Sequence, residues 1–216
     1  MSKDDQKIIV VKRDILFSDG DFQGFKWDVD RSYEQRILSN MEVMRRRDAE
    51  NNPDFKQPIG YALAIHNGKK IIAYQRSSQG GEQRLHEKWA WGFGGHVEPP
   101  DGNCVNPLRA SVIREVWDEE LEFPGGALFK GPKLVGYIND DSNDVGKVHF
   151  GLLYAFELYS DRVGAKDPEI AKVQLFSLGE LERMCANPQF DVETWSRIAL
   201  EPLKQYKRFS KYSKLE

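Results

Sequence analysis

Four carboxylates, Glu115, Asp118, Glu119 and Glu122, recur at a spacing that a helix would gather onto one face. At about 100° per residue they fall within one arc, with Ala110, Ile113, Trp117 and Leu121 opposite. Like charges so placed repel one another. A divalent cation would relieve that repulsion, and hard oxygen donors suit Mg²⁺ or Mn²⁺. A merely solvated acidic face has the same composition, so the context decides. Two features supply it: the pair Gly94-Gly95 upstream, and Arg114 immediately before Glu115. The helix that must present these groups has clear start signals. Asn106 suits an N-cap, and Pro107 suits the first helical position, where its missing N–H would be unpaired anyway.

Taken together, the stretch from Gly94 to Phe123 resembles the Nudix box, the signature of the Nudix hydrolase superfamily. That pattern runs Gly, five residues, Glu, seven residues, Arg-Glu-apolar, one residue, Glu-Glu, one residue, Gly. Here Gly95 stands for the first glycine and Asp101 for the first Glu. Arg114-Glu115-Val116 matches Arg-Glu-apolar, and Asp118-Glu119 takes the place of the acidic pair. The sequence departs from the pattern in two further ways. Twelve residues separate Asp101 from Arg114, and Leu121 stands where the last Gly is expected.

The resemblance implies roles for particular residues. Glu115, Asp118 and Glu119 would hold the cation together with the backbone at Gly95, Asp118 through water because it is one methylene shorter. Arg114 would orient a carboxylate. Glu115, Glu119 or Glu169 would serve as base, Glu169 matching a loop acid that many members use. Arg76 and Arg84 are candidates for contact with substrate phosphate, and Gly94 and His96 for the loop that approaches the substrate. His66 and His86 have no partner that the sequence names.

In the scaffold, KIIVVK at 7–12 reads as a β-branched strand. A helix is expected from Ser32, with Ile37, Leu38, Met41 and Met44 as its apolar stripe and Arg45, Arg46 and Arg47 closing it. The run GYALAIH, then Asn67-Gly68, then KKIIAYQR predicts a hairpin with a turn at positive φ. Trp89 to Phe93 reads as a strand leading to the glycine pair, with Trp89 and Trp91 on one face. KLVGYIND and KVHFGLLYAFEL read as two more strands around an Asp/Asn/Gly turn. The last segment is helical but broken by Pro202. The fold class is α+β: the α/β/α sandwich with a mixed sheet that the Nudix resemblance implies. It divides into an extension at 1–56, a core at 57–187, and a C-terminal helix and tail at 188–216.

Bulk properties bound the function. A net charge of −3 argues against a nucleic acid polymer or an anionic membrane as main partner. Cys104 and Cys185 form no CxxC pair, so neither a disulfide framework nor a thiolate metal site is indicated. IIVV is too short for a signal or membrane segment, which makes a cytoplasmic protein the default expectation. The expected activity is metal-dependent hydrolysis of a diphosphate linkage, with a small-molecule diphosphate as substrate. The amphipathic helix of the extension would suit a homodimer. Two other readings stand beside it: a non-catalytic nucleotide-sensing module, and an isopentenyl diphosphate isomerase, whose chemistry relies on a cysteine near the glycine loop.

Overall fold

The computed structural model describes residues 3–78, 87–99, 101, 104–160 and 162–212. Its strands are β1 (Lys7–Lys12), β2 (Gly24–Trp27), β3 (Glu42–Arg45), β4 (Phe55–His66), β5 (Lys70–Arg76), β6 (Trp89–Ala90), β7 (Gly92–His96), β8 (Leu121–Glu122), β9 (Leu128–Asn139), β10 (His149–Tyr159), β11 (Gly164–Ala165) and β12 (Ile170–Phe176). Its helices are α1 (Arg13–Leu16), α2 (Ser32–Ser39), α3 (Arg46–Ala49), α4 (Pro107–Ile113), α5 (Asp144–Val148), α6 (Leu178–Ala186) and α7 (Thr194–Tyr212). A π-helical segment, Arg114–Glu120, continues α4.

The main sheet runs β12-β5-β4-β10-β9-β2, with β1 and β7 also pairing with β4. It is mixed, because β4 and β10 run parallel from Gln57 opposite His149 to His66 opposite Leu158. The β4–β5 hairpin turns on Asn67 and Gly68, at φ 48 and 67, the pair of left-handed residues that this turn requires.

Both faces of the sheet are covered, and the period-2 alternation of its strands decides what each face holds. Ala62, Ala64, Leu152, Tyr154 and Phe156 pack with Tyr33 and Ile37 of α2 and with Leu108 and Val112 of α4. Their neighbours Tyr61, Leu63, Ile65, Leu153 and Ala155 pack with Leu181 of α6 and Ala199 and Leu203 of α7. This is the α/β/α sandwich. Trp89 and Trp91 lie in the second of these cores.

Two helices differ from expectation. α2 stops at Ser39, and Met44 lies instead on β3, opposite Ile8 of β1. Pairing along the free edge of β1 overrides the helical stripe, and the three arginines straddle the end of β3 and the start of α3. α7 runs unbroken through Pro202. Its apolar face, including the buried Leu203, outweighs the hydrogen bond that proline cannot donate. Among the described residues no helix is long and apolar enough to cross a bilayer.

Candidate active site

Helix α4 begins as its sequence dictates, with the Arg109 amide donating to Asn106 Oδ1 at 3.0 Å. It lies tight on β4 at Gly60, where an added Cβ would meet Val112 Cγ2 at 2.5 Å and Ser111 Oγ at 3.0 Å. At Arg114 the helix widens into the π form, in which the residue five along, not four, returns over the first. Glu120 therefore lies on the face of Glu115. Both are buried, at 6% and 8% exposure. The acidic arc expected of an α-helix is not formed: Asp118 is exposed to solvent, the Glu119 side chain is half-exposed, and Glu122 belongs to β8.

Strand β7 carries the glycine pair alongside this turn. The Glu115 carboxylate lies so close to Gly95 that any side chain there would overlap it, and a side chain at Gly94 would overlap the Gly60 carbonyl. Burial pushes the Glu115 carboxyl up to about 7, against the pull of Arg114 and with the repulsion of Glu119. Glu120 is driven well above the carboxylate range by burial first and by the Glu115 charge second, while Arg76 and the Gly94 amide oppose the shift. Its Oε2 is buried and has no hydrogen-bond partner. Two buried carboxylates, one with an orphaned oxygen, beside the backbone of a glycine pair suit a hard divalent cation.

Arg114 orders the surrounding acids. It forks onto Asp101 through Nε at 3.3 Å and Nη2 at 3.2 Å. Its Nη1 donates to Glu115 Oε1 at 2.8 Å and Glu119 Oε1 at 2.6 Å, and Nη2 also reaches the His96 carbonyl at 2.9 Å. One guanidinium thus ties the loop that follows β7 to the acidic turn.

The remaining sequence candidates have other partners. Arg76 is engaged by Glu193 Oε1 at 2.9 Å and by the Tyr74 hydroxyl at 3.2 Å, so it anchors the lead into α7. Glu169 pairs with Lys3 at 2.9 Å and stands 4.0 Å from Arg76. Its loop meets the end of the acidic turn, where the Lys166 amide donates to the Glu120 carbonyl at 2.9 Å. The His96 ring is turned inward onto Gln57 and His149, with its side chain only 10% exposed. Burial lowers the His96 pKa well below its ordinary value, aided by the charges of His149, Arg46 and Arg114. Arg84 and His86 lie outside the described residues. Cys104 and Cys185 are free thiols.

Sequence reasoning passed over Glu120. The available signal was the Glu-Glu dipeptide, which stands at 119–120, one residue later than the pattern requires. An extra residue in a helix is absorbed as a π turn.

No family model matches the chain. It is 36% identical over 217 residues to protein YmaB of Bacillus subtilis (strain 168), covering 94% of this chain and 100% of that protein. It superposes on Tm1382, a protein provisionally classed as a Nudix hydrolase, with a TM-score of 0.74 at 25% identity, over 92% of this chain and 98% of the other. On that likeness over most of both chains, the chain belongs to the Nudix hydrolase superfamily.

Proposed function

We propose that the chain hydrolyses a diphosphate linkage in a nucleoside diphosphate derivative or a similar small molecule, with Mg²⁺ or Mn²⁺ as cofactor. The observation that carries this reading is the buried pairing of Glu115 and Glu120, with Glu120 Oε2 unpartnered, beside Gly94-Gly95. Glu115, Glu120 and the Gly95 backbone would hold the cation, which would neutralise the diphosphate and lower the pKa of an attacking water. Glu119 remains half-exposed at the mouth of the site and is held there by Arg114. It would be the carboxylate to accept the proton of that water. Arg114 acts through other groups, keeping Asp101 and the strand carrying Gly95 in register with the acidic turn. Asp118 takes no direct part.

The test is Mg²⁺-dependent release of phosphate or nucleotide from dinucleotides, nucleotide sugars and nucleoside triphosphates. Glu115→Gln and Glu120→Gln are each expected to lower kcat by about a hundredfold or more, on the order of 3 kcal/mol of barrier. Asp118→Asn should stay close to the parent enzyme. The reverse pattern, with Asp118→Asn inactive and Glu120→Gln unaffected, would overturn the assignment.

A further inference from the structure

Next to the glycine pair, the ends of several elements bring two imidazoles, a carboxylate and an amide oxygen together. His96 closes β7, His149 opens β10, Gln57 lies on β4 beside His149, and Glu50 follows α3 in the N-terminal extension. The Nε2 atoms of His96 and His149 face each other at 3.2 Å. Glu50 Oε1 lies 3.8 Å from the first and 3.9 Å from the second. Gln57 Oε1 is 2.7 Å from His96 Nε2, while the Gln57 amide nitrogen is buried without a partner. We propose that Glu50, His96 and His149, with the Gln57 carbonyl oxygen, form a second cation site that takes a divalent transition metal of the Zn²⁺ class.

The geometry points to coordination more than to a simple hydrogen bond. Two Zn–N bonds of about 2.05 Å at a tetrahedral angle separate their nitrogens by about 3.3 Å, close to the spacing found here. His149 Nδ1 is 2.7 Å from the Val145 carbonyl, which leaves the proton on Nδ1 and the lone pair on Nε2. A backbone partner of that kind is the usual outer support of a metal-binding imidazole. His96 Nε2 faces the Gln57 oxygen and the His149 lone pair, so on binding a metal its proton moves to Nδ1. Glu50 must approach by about half an ångström to reach a bond length of about 2 Å. Its side chain is 32% exposed and free to do so, and its 3.3 Å contact with Arg46 Nε is the one that gives way.

The donor set separates this site from the other. Imidazole nitrogen favours Zn²⁺ or its neighbours, whereas the all-oxygen site at Glu115 and Glu120 favours Mg²⁺. Bound here, an ion would rivet the extension, through Glu50, to β4, β7 and β10, one residue from Gly95.

The experiment uses the full chain, stripped with chelator and held in excess Mg²⁺ to occupy the carboxylate site. Co²⁺ serves as spectroscopic probe and Zn²⁺ as the metal for content and thermal melting. About one Co²⁺ per chain should bind with visible ligand-field bands, and Zn²⁺ should raise the melting midpoint. Both effects should be lost in His149→Gln, weakened at least about tenfold in Glu50→Gln, and retained in Glu120→Gln. Absence of Co²⁺ and Zn²⁺ binding under Mg²⁺ would overturn the proposal, as would binding that His149→Gln and Glu50→Gln leave unchanged. If His149→Gln does not fold, Glu50→Gln, altered near the surface, decides between the two results.

Discussion

Glu115 and Glu120 share a space in which burial disfavours charge on both, so a proton and a cation compete for the same oxygens. A proton has to leave before a metal enters. Mg²⁺ affinity measured by calorimetry should therefore rise with pH through about 7, where Glu115 titrates, by up to about tenfold per pH unit for each of the two carboxylates that must lose a proton. Constant affinity between about pH 6 and 8 would contradict the raised pKa values. The same shifts act on stability. Both folded-state pKa values are raised above the unfolded ones, so their contribution is present in acid and is lost as pH rises, that of Glu115 through about 7. Added Mg²⁺ should accordingly raise the melting midpoint more on the alkaline side of neutrality than on the acid side, as thermal scans at matched ionic strength would show.

At the scale of elements, the acidic turn is an α-helix with one residue too many. Removing Asp118 would restore the spacing Arg114-Glu115-Val116-Trp117-Glu119-Glu120, and an ordinary helix would then place both glutamates where the wide turn places them now. The deletion variant is expected to fold and to keep its Mg²⁺ affinity within about tenfold. Loss of binding by a folded deletion protein would show that the wide turn is not a simple insertion. Gly60→Ala tests the seat of α4 on β4. Its Cβ would press on Val112 and Ser111, and the overpacking should cost about 1–3 kcal/mol in urea unfolding.

Elements whose reasons are local were legible in the sequence. The Asn67-Gly68 turn, the Asn106-Pro107 start of α4 and the alternating strand around Tyr61 are each dictated by neighbouring residues. What was not legible depends on distant partners. Met44 leaves its helix because β1 offers an edge, α7 passes through Pro202 because its buried face holds it, and Arg76 is taken by Glu193, far along the chain. Within the site, Arg114 bonds to its sequence neighbours Glu115 and Glu119, whereas the burial of Glu120 depends on a change of helix type that a fixed period of 3.6 residues conceals.

For the molecule as a whole, one buried cation holds the extension against the sandwich. Lys56, on β4 and fully buried, donates to Asp141 Oδ1 at 2.7 Å and to the carbonyls of Gly146 at 2.8 Å and His149 at 3.1 Å. Arg13 of the extension donates to the other Asp141 oxygen at 2.6 Å. Although burial pushes the other way, bonds from Arg13 and Lys56 hold the Asp141 carboxyl well below its ordinary range. Its contribution to stability is thus present above about pH 4 and fades as the pH falls below that value. Asp141→Asn leaves Lys56 buried without its counter-charge and should lower unfolding stability by about 3 kcal/mol at neutral pH, as equilibrium urea titration would measure.

The parallel ladder of β4 and β10 has a consequence for how the protein is made. Lys56 and His149, neighbours at one end of that ladder, are 93 residues apart along the chain. On a ribosome adding about 5–20 residues per second, β4 waits roughly 5 to 20 s for its central partner to be synthesised. Until then β1, β5, β7 and α4 can shelter parts of its apolar run, but not the edge that β10 takes. The nascent chain must therefore pass through a stage with one edge of this buried strand bare, a stage at which a chaperone that binds extended apolar segments would find its target.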